Sequence, residues 1–180
     1  SGYALEYDGV NWNKIKTDKE TTIYSLAGDL NGIIYIGGLG DFGRIIPYKN
    51  GKLRYESLAK KIPDSIISAQ NFRKTYVGKN QEVYFCSSKY IYVFEKNNLL
   101  PIKLPENSWF SFYIDGKLYI SNEDYGILTL NSKYKIERIK NLDKRILNRY
   151  IYLIKKINIS FGDSLNSFNP LSGELKSFNN

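Results

Sequence analysis

Residues 38–43 match two motifs that bind phosphate or metal in other proteins. They spell Gly-Leu-Gly-Asp-Phe-Gly and fit the pattern G-x-G-x-x-G, whose glycines let the backbone approach a dinucleotide. A dinucleotide site needs a helix directly afterwards, because the helix N-terminus binds the phosphate. The residues that follow, 44–48, contain Ile-Ile-Pro and are typical of a strand. We therefore predict a tight change of direction between two strands, and no nucleotide cofactor.

The tripeptide Asp41-Phe42-Gly43 also occurs as the metal-binding element of protein kinases. A kinase would need a glycine-rich loop over the phosphates and a His-Arg-Asp catalytic loop, and the sequence has no His. We expect no kinase activity and no metal site in this segment.

Two adjacent carboxylates, Glu123 and Asp124, are a second candidate for chemistry. Paired carboxylates perform acid/base work on glycosidic bonds, but neighbours on one loop seldom face the same bond. A calcium loop would need more oxygen ligands at regular spacing. We predict a solvated turn.

Cys86 stands without a His or a second Cys, so we predict that it packs in the interior.

The composition excludes several classes of function. The chain has 180 residues, 42% hydrophobic and 24% charged, with one Cys and no His. A Ser-His-Asp triad, a histidine zinc site, haem ligation by His and an internal disulfide are therefore all excluded. We expect no cofactor, and we do not expect an enzyme because no acid, base and nucleophile can be assembled.

The formal net charge of +8 favours anionic partners. However, Lys (20) far outnumbers Arg (6), whereas specific nucleic-acid sites depend on the arginine fork. Nucleic-acid binding is thus a weaker alternative. It predicts one continuous basic face made of Lys133, Lys135, Arg138, Lys140, Lys144, Arg145 and Arg149.

Short strands recur along the chain and must position any site. Alternating triplets begin at Ile34, Val83, Leu118 and Ile157. Turn sequences such as Asp115-Gly116 precede these strands, and a second series, including Asn50-Gly51, follows them. Asn-Gly and Asp-Gly favour type I′ hairpins. Two interlaced turn series predict four strands in each repeat, and in the first full repeat these are 23–29, 32–37, 44–48 and 52–58.

A four-stranded antiparallel unit of about 40 residues is the size of a propeller blade. We predict an all-β protein, a β-propeller segment spanning residues 1–180. It would contain about four four-stranded blades and a partial one. The blades are predicted at 18–60, 66–105, 108–141 and 144–180, with 1–17 closing a preceding blade.

We expect an arc of a larger ring, of the seven-bladed type, because the chain begins midway through a blade. Closure of a small ring by pairing 1–17 with the chain end is the alternative. Most aromatic residues should pack between blades, and we favour this for the cluster Trp109, Phe110, Phe112 and Tyr113. The alternative is that a minority of the rings face the central channel or one rim, where aromatic residues beside polar groups hold sugars.

The segment 141–159 admits two interpretations. Leu142, Ile146, Tyr150 and Ile154 recur at spacing four among basic residues, as in an amphipathic helix. Tyr150, Tyr152 and Ile154 also alternate, and the repeat phase requires a strand over 149–155. We favour the strand.

The first third of the sequence resembles the two-component regulator propeller repeats. The family's repeat has an Asp-x-x-Gly turn, a strand ending in Gly, and a Phe-Gly step into the third strand. Asp29, Gly32, Gly37, Phe42 and Gly43 occupy those positions, and Tyr7-Asp8-Gly9 with Trp12 matches the end of the preceding blade. Later repeats match less well: Cys86-Ser87-Ser88-Lys89 replaces the glycine step.

This resemblance implies a sensor. Such propellers are periplasmic input modules of bacterial regulators, joined to a membrane helix and a kinase, cyclase, phosphatase or helix-turn-helix output. The implied partners are a small molecule or glycan, the remaining blades and signalling domains, and possible homodimers of the parent protein, which alone would contact the membrane. A protein–protein scaffold is the alternative function, and it predicts an exposed apolar patch on one rim in place of a polar aromatic pocket.

Links between strands are the expected contact surface of the propeller. We place ligand binding at the links after the second strand of each blade: 39–41, 87–90, 123–125 and 162–164. The predicted ligand-binding residues are Asp41, Phe42, Arg44, Glu123, Asp124, Tyr125 and Asp163.

Overall fold

The structure, a computed structural model, describes residues 2–139, 152–154, 158–161, 164–169 and 174–178. The chain divides into two compact units, Ser1–Lys103 and Leu104–Asn180. Both units consist of antiparallel sheets in which strands adjacent in sequence are paired. The protein is therefore all-β, as predicted.

The first unit holds a two-stranded sheet and two four-stranded sheets. The hairpin pairs β1 (Tyr3–Tyr7) with β2 (Trp12–Lys16). The first four-stranded sheet is β3 (Ile23–Gly28), β4 (Ile34–Gly38), β5 (Phe42–Pro47) and β6 (Leu53–Ser57). The second is β7 (Lys74–Val77), β8 (Val83–Cys86), β9 (Tyr90–Glu95) and β10 (Asn98–Lys103).

The second unit holds two four-stranded sheets. One is β11 (Ser108–Ile114), β12 (Lys117–Asn122), β13 (Gly126–Leu130) and β14 (Ile136–Arg138). The other is β15 (Tyr152–Ile154), β16 (Asn158–Phe161), β17 (Ser164–Asn169) and β18 (Glu174–Phe178). Strand β15 lies within the predicted strand 149–155. Residues 140–151, which carry most of the helical alternative, lie outside the described residues.

Helical structure is short where the chain is described. It comprises a 3-10 turn, Lys49–Gly51, and the four-residue helix α1, Asp64–Ile67. Neither is long and apolar enough to cross a membrane. Strand β5 begins at Phe42, directly after the glycine-rich link, so the helix that a dinucleotide site requires is replaced by a strand.

Two predicted turns differ in geometry. Asp115 and Gly116 both have positive φ, 50° and 83°, as a type I′ hairpin requires. At the β3–β4 turn, Gly32 has φ +79° but Asn31 is not left-handed. The Asp29 carboxylate explains the difference, because its Oδ1 accepts hydrogen bonds from the backbone N–H groups of Asn31 and Ile33. It thereby organises a longer loop than the two-residue turn that the sequence predicts.

The sheet β3–β6 is buried on both faces. Tyr35 and Ile36 are neighbours on β4, so their side chains point to opposite faces, and both are buried. Tyr35 joins Phe42, Phe72, Phe85 and other residues in a core shared with the sheet β7–β10. Ile36 joins Ile15, Ile45 and Tyr55 in a second core against the β1–β2 hairpin. Stacked sheets of this kind are what the repeat pattern predicts.

In the second unit two of the four residues of the aromatic cluster are placed differently from the prediction, while Phe112 and Tyr113 are half-buried. Leu118, Ile120, Ile127 and Leu128 of β12 and β13 are buried, but Trp109 is 55% exposed and Phe110 40% exposed. The register of β11 shifts between Ser108 and Ser111, which is a β-bulge. A bulge interrupts the alternation of side chains between faces, so these two rings do not follow the pattern expected of core residues.

Candidate functional site

A cavity of about 290 Å³ opens at one edge of the first unit. In an antiparallel sheet, the second and fourth strands run in the same direction and finish at the same end of the sheet. The link between the second and third strands therefore lies beside the segment that leaves the fourth strand. Here these are the β4–β5 link and the residues after β6, and the turn after β2 joins them. The lining residues are Asp18, Lys19, Asp41, Ser57, Ala59, Lys60, Ile62 and Asp64.

Asp41, a predicted site residue, is a buried carboxylate in the cavity wall, only 3% exposed. Its Oδ1 accepts hydrogen bonds from the Ser57 hydroxyl at 2.6 Å and from the Phe42 backbone N–H at 2.9 Å. Its Oδ2 accepts one from the Tyr55 hydroxyl at 3.0 Å. A carboxylate offers about four acceptor positions, so Oδ2 can accept one more hydrogen bond.

Burial raises the pKa of Asp41 above that of an exposed aspartate, because desolvation penalises the charged form. The hydrogen bonds from Ser57, Tyr55 and the Phe42 N–H lower the pKa and partly offset this effect, and the negative charge of Asp18 raises it further. Burial, followed by the charge of Asp41, raises the pKa of Tyr55 well above its usual range. The Tyr55 hydroxyl therefore keeps its proton at neutral pH and donates a hydrogen bond to Asp41.

Two ion pairs line the outer part of the cavity. Lys60 Nζ lies 2.8 Å from Asp18 Oδ2, and Lys19 Nζ lies 2.7 Å from Asp64 Oδ1. All four side chains are substantially exposed, so each pair contributes little to stability. Each pair places a hydrogen-bond donor, the lysine ammonium group, beside an acceptor, the aspartate carboxylate.

The β4–β5 link is held by neighbouring backbone rather than exposed as predicted. Gly40 has φ +66°, and its N–H donates to the Gln70 carbonyl at 2.8 Å. The Leu39 N–H donates to the Thr22 carbonyl at 2.9 Å. Gly40 and Asp41 are consequently buried, and Asp41 also lines the cavity.

Phe42 and Arg44, which the sequence places in the same site, do not line the cavity. Phe42 is fully buried among the core rings. Arg44 Nε donates to Glu56 Oε2 at 2.7 Å, and its guanidinium lies 5.5 Å from the centre of the Phe94 ring. Phe42 and Arg44 therefore stabilise the sheet, and we assign them no direct ligand contact.

The second unit carries the other predicted residues. Glu123, Asp124 and Tyr125 are exposed in the turn between β12 and β13. Buried Asn122 organises this turn: its Oδ1 accepts hydrogen bonds from the N–H groups of Asp124 and Tyr125. Asn107 Nδ2 donates to Asp124 Oδ2 at 3.1 Å. The solvated turn predicted for the two carboxylates is what the structure places here.

Substitution of Asn122 by Ala should lower the free energy of unfolding by about 2 kcal/mol, because two N–H groups lose their acceptor. The Glu106 carbonyl and the Ser108 hydroxyl also lose the Asn122 Nδ2 donor. Urea denaturation would measure the change. The control is Asp124→Asn, which keeps an acceptor for Asn107; a variant as stable as wild type would show that water replaces the Asn122 side chain.

The structure describes some of the remaining predicted positions but not all of them. Ser88 and Lys89 are exposed at the tip of the β8–β9 link, and Cys86 is buried as predicted. Asp163 and four residues of the predicted basic face (140, 144, 145 and 149) lie outside the described residues. Within the described residues, no group of three or more His, Cys, Asp or Glu side chains is arranged to hold a metal ion.

Sequence reasoning missed most of the cavity. Asp18, Lys19, Ser57, Lys60 and Asp64 were not among the predicted site residues, although they line it. All of them lie at or after the last strand of a repeat. That segment lies at the same end of the sheet as the link after the second strand. Successive links alternate between the two ends of the sheet, and applying this rule to the repeat pattern predicts that these residues lie beside Asp41.

The chain was compared with known proteins. A scan against protein-family models finds no match, and a search of curated proteins finds none either. Among solved structures it resembles virginiamycin B lyase from Staphylococcus aureus, with 17% identity, a TM-score of 0.63 and 98% of this chain covered. A catalytically inactive histidine-to-alanine variant of that lyase, solved with quinupristin, matches equally well, with a TM-score of 0.63.

The chain also resembles the extracellular domain of a putative hybrid two-component system from Bacteroides thetaiotaomicron. Identity is 13%, the TM-score is 0.61 and 99% of this chain is covered. The fold is that of a β-propeller. The chain spans 61% of the length of the lyase and 23% of that of the extracellular domain, so the blade number of a complete ring stays a prediction.

Proposed function

We propose that this propeller segment is the ligand-recognition part of a bacterial extracytoplasmic sensor and that it does not itself catalyse a reaction. The observation that carries the proposal is the cavity, which has the buried Asp41 carboxylate in its wall and ion pairs along its sides. The likeness to the extracellular domain of a two-component system supports the same proposal at the level of the fold.

The proposed ligand is a small, hydroxyl-rich molecule such as a sugar. Three carboxylates accept hydrogen bonds in the cavity, while the ammonium groups of Lys19 and Lys60 can donate them. A hydroxyl group of the ligand can both donate and accept a hydrogen bond, so it can bind a carboxylate and a neighbouring ammonium group at the same time. Ala59 and Ile62 supply an apolar wall for the face of a ring.

Catalysis of the lyase type is not favoured. The likeness to virginiamycin B lyase is as strong as that to the sensor domain, so the fold does not discriminate between them. Replacement of one histidine by alanine leaves that lyase catalytically inactive, and the present 180 residues contain no His. These residues cannot supply an equivalent group.

The scaffold alternative rests on the outer face of the β1–β2 hairpin. Leu5, Tyr7 and Trp12 lie on this face and are 55–66% exposed, with the Tyr7 and Trp12 rings 5.0 Å apart. An exposed apolar patch is therefore present on this sheet face, whereas the scaffold alternative predicts one on a rim of the propeller. We favour the sensor because the cavity combines buried and exposed polar groups, which a scaffold does not require.

The remaining elements of the proposal follow from the resemblance to sensor proteins. The partners would be further blades and the signalling domains of a parent protein, with homodimerisation of that parent. The proposed location is the periplasmic side of the inner membrane.

The proposal predicts specific binding of sugars in the cavity. Titration of the isotope-labelled chain with D-glucose and other monosaccharides should shift NMR signals of cavity residues, including Ser57 and Ile62. Lys60→Ala removes an exposed donor and should weaken binding about tenfold. The matched control is Lys61→Ala, since Lys61 is exposed but does not line the cavity.

Two results would count against this function. Shifts at residues outside the cavity would move the binding site elsewhere, and equal affinity of the Lys60 and Lys61 variants would show that the cavity lysine makes no contact. Absence of any sugar-dependent shift would remove the basis of the proposal.

A further inference from the structure

The charges in the cavity do not balance. Asp18 pairs with Lys60 and Asp64 pairs with Lys19, so both lysines are matched by one carboxylate each. Asp41 is the third carboxylate of the lining, and its three hydrogen bonds come from a serine, a tyrosine and a backbone N–H, all neutral. Three carboxylates and two ammonium groups leave a net charge of −1.

We propose that the ligand of this cavity carries a cationic amino group, which binds at Asp41. The inference rests on the proposed function and specifies the class of its ligand, an amino sugar or a similar small hydroxylated amine. An ammonium group would supply the missing positive charge and would donate a hydrogen bond to the Asp41 carboxylate.

The position of Asp41 makes a ligand cation more effective there than at the exposed carboxylates. Asp41 is 3% exposed, whereas the side chain of Asp64 is 82% exposed and already paired. Charge–charge attraction is stronger where water is excluded, and salt screens it less. A cation beside Asp41 would also offset the desolvation that disfavours its ionised form.

An organic cation fits the lining better than a metal ion. Metal sites need several ligands converging on one point, and the described residues include no group of three or more His, Cys, Asp or Glu side chains that could hold a metal ion. The apolar side chains of Ala59 and Ile62 would contact the carbon skeleton of the ligand, and Ser57 and the ion pairs would contact its hydroxyl groups.

Three sugars of one skeleton test the charge directly: D-glucosamine, D-glucose and N-acetyl-D-glucosamine. At about pH 6 the free amine is protonated, while the other two sugars are neutral. We expect D-glucosamine to bind about tenfold more tightly than D-glucose, as judged from NMR shifts of the cavity residues. N-acetyl-D-glucosamine should bind no better than D-glucose, because acetylation removes the charge.

Two substitutions should abolish this preference. Asp41→Asn removes the charge at the site, and Asp18→Asn frees Lys60 to neutralise Asp41. Asp18 is exposed, so the Asp18 variant keeps the test valid if the Asp41 variant fails to fold. Glu137→Gln is the control: it removes one exposed carboxylate in the other unit and keeps an acceptor for Asn131.

The outcomes separate the two proposals. A preference of about tenfold that falls to about twofold or less in both aspartate variants, but not in Glu137→Gln, supports the amino-group inference. Equal affinity for D-glucosamine and D-glucose overturns that inference and leaves sugar recognition standing. If none of the three sugars shifts cavity signals, both the sensor site and the inference drawn from it are overturned.

Discussion

Replacement of Phe42 by Ala should lower the free energy of unfolding by about 3–5 kcal/mol. The ring is fully buried, and its centre lies 4.4 Å from that of Phe85, 4.8 Å from that of Phe72 and 5.0 Å from that of Tyr92. Removing it forfeits the transfer free energy of a large side chain and leaves a cavity between two sheets. The surrounding rings cannot collapse fully into that space, because they belong to different strands and to the linking segment.

Urea denaturation of the 180-residue chain, followed by aromatic fluorescence, would measure this loss. Leu30→Ala is the control, because Leu30 is 90% exposed and its truncation should change the free energy of unfolding by less than about 0.5 kcal/mol. A loss below about 1 kcal/mol for the Phe42 variant would contradict the central place of this ring. It would then have to be compared with Phe85→Ala to find which ring holds the sheets together.

The strands could be predicted because their signals are local. In β4, Ile34-Tyr35-Ile36 alternates over three residues, and the turn sequences Asn50-Gly51 and Asp115-Gly116 fall between strands. Predicted and observed strands of the first full repeat accordingly overlap throughout, for example 23–29 against Ile23–Gly28. Periodicity of two and turn chemistry act over a few residues, so no information about distant contacts is needed.

The cavity could be predicted only in part, because it is assembled from distant residues. Asp18 and Lys60 are 42 positions apart in sequence, yet their charged groups lie 2.8 Å from each other. Nothing in either local sequence indicates the pair. Asp41 was selected because it lies in the glycine-rich link, but Phe42 was selected for the same reason and is a core residue.

The burial of individual aromatic side chains also could not be predicted from the sequence. The sequence predicts Phe42 as a ligand-binding residue and Trp109 as a residue of the core between blades, and the structure places both differently. The Gly40 turn directs the chain so that Phe42 enters strand β5 facing the core. Trp109 instead lies at the bulge of β11 and is exposed, and a single extra residue in a strand leaves no reliable mark in the sequence.

The cavity wall is connected to the neighbouring sheet through Gln70. The Gln70 carbonyl accepts from the Gly40 N–H, next to Asp41, and the Gln70 side-chain oxygen accepts from the Ser87 hydroxyl at 2.6 Å. Gln70 is 3% exposed. The two links that the sequence assigns to ligand contact, 39–41 and 87–90, are thus joined by one buried residue. A ligand at Asp41, as proposed, would therefore lie beside a link that is hydrogen-bonded through Gln70 to the next sheet.

The second large effect is expected for Gly43→Ala, which should lower the free energy of unfolding by at least about 3 kcal/mol. Gly43 lies on β5, opposite Ser57 of β6. An added Cβ would collide with the Glu56 carbonyl oxygen and would lie 2.7 Å from the Tyr55 hydroxyl and ring. The strand pairing and the Tyr55 ring must both shift, so the Tyr55 hydroxyl would leave Asp41.

Gly28→Ala is the matched control for this substitution. Gly28 also lies in a strand, but an added Cβ there would meet only the end of the Ile34 side chain, at 3.4 Å. It should therefore leave stability unchanged or raise it by about 0.5 kcal/mol, since alanine restricts the unfolded chain. Urea midpoints of the two variants give the comparison directly. If Gly43→Ala were as stable as Gly28→Ala, β5 and β6 would have to separate easily, and the fixed position of Asp41 that the proposed ligand site requires would be lost.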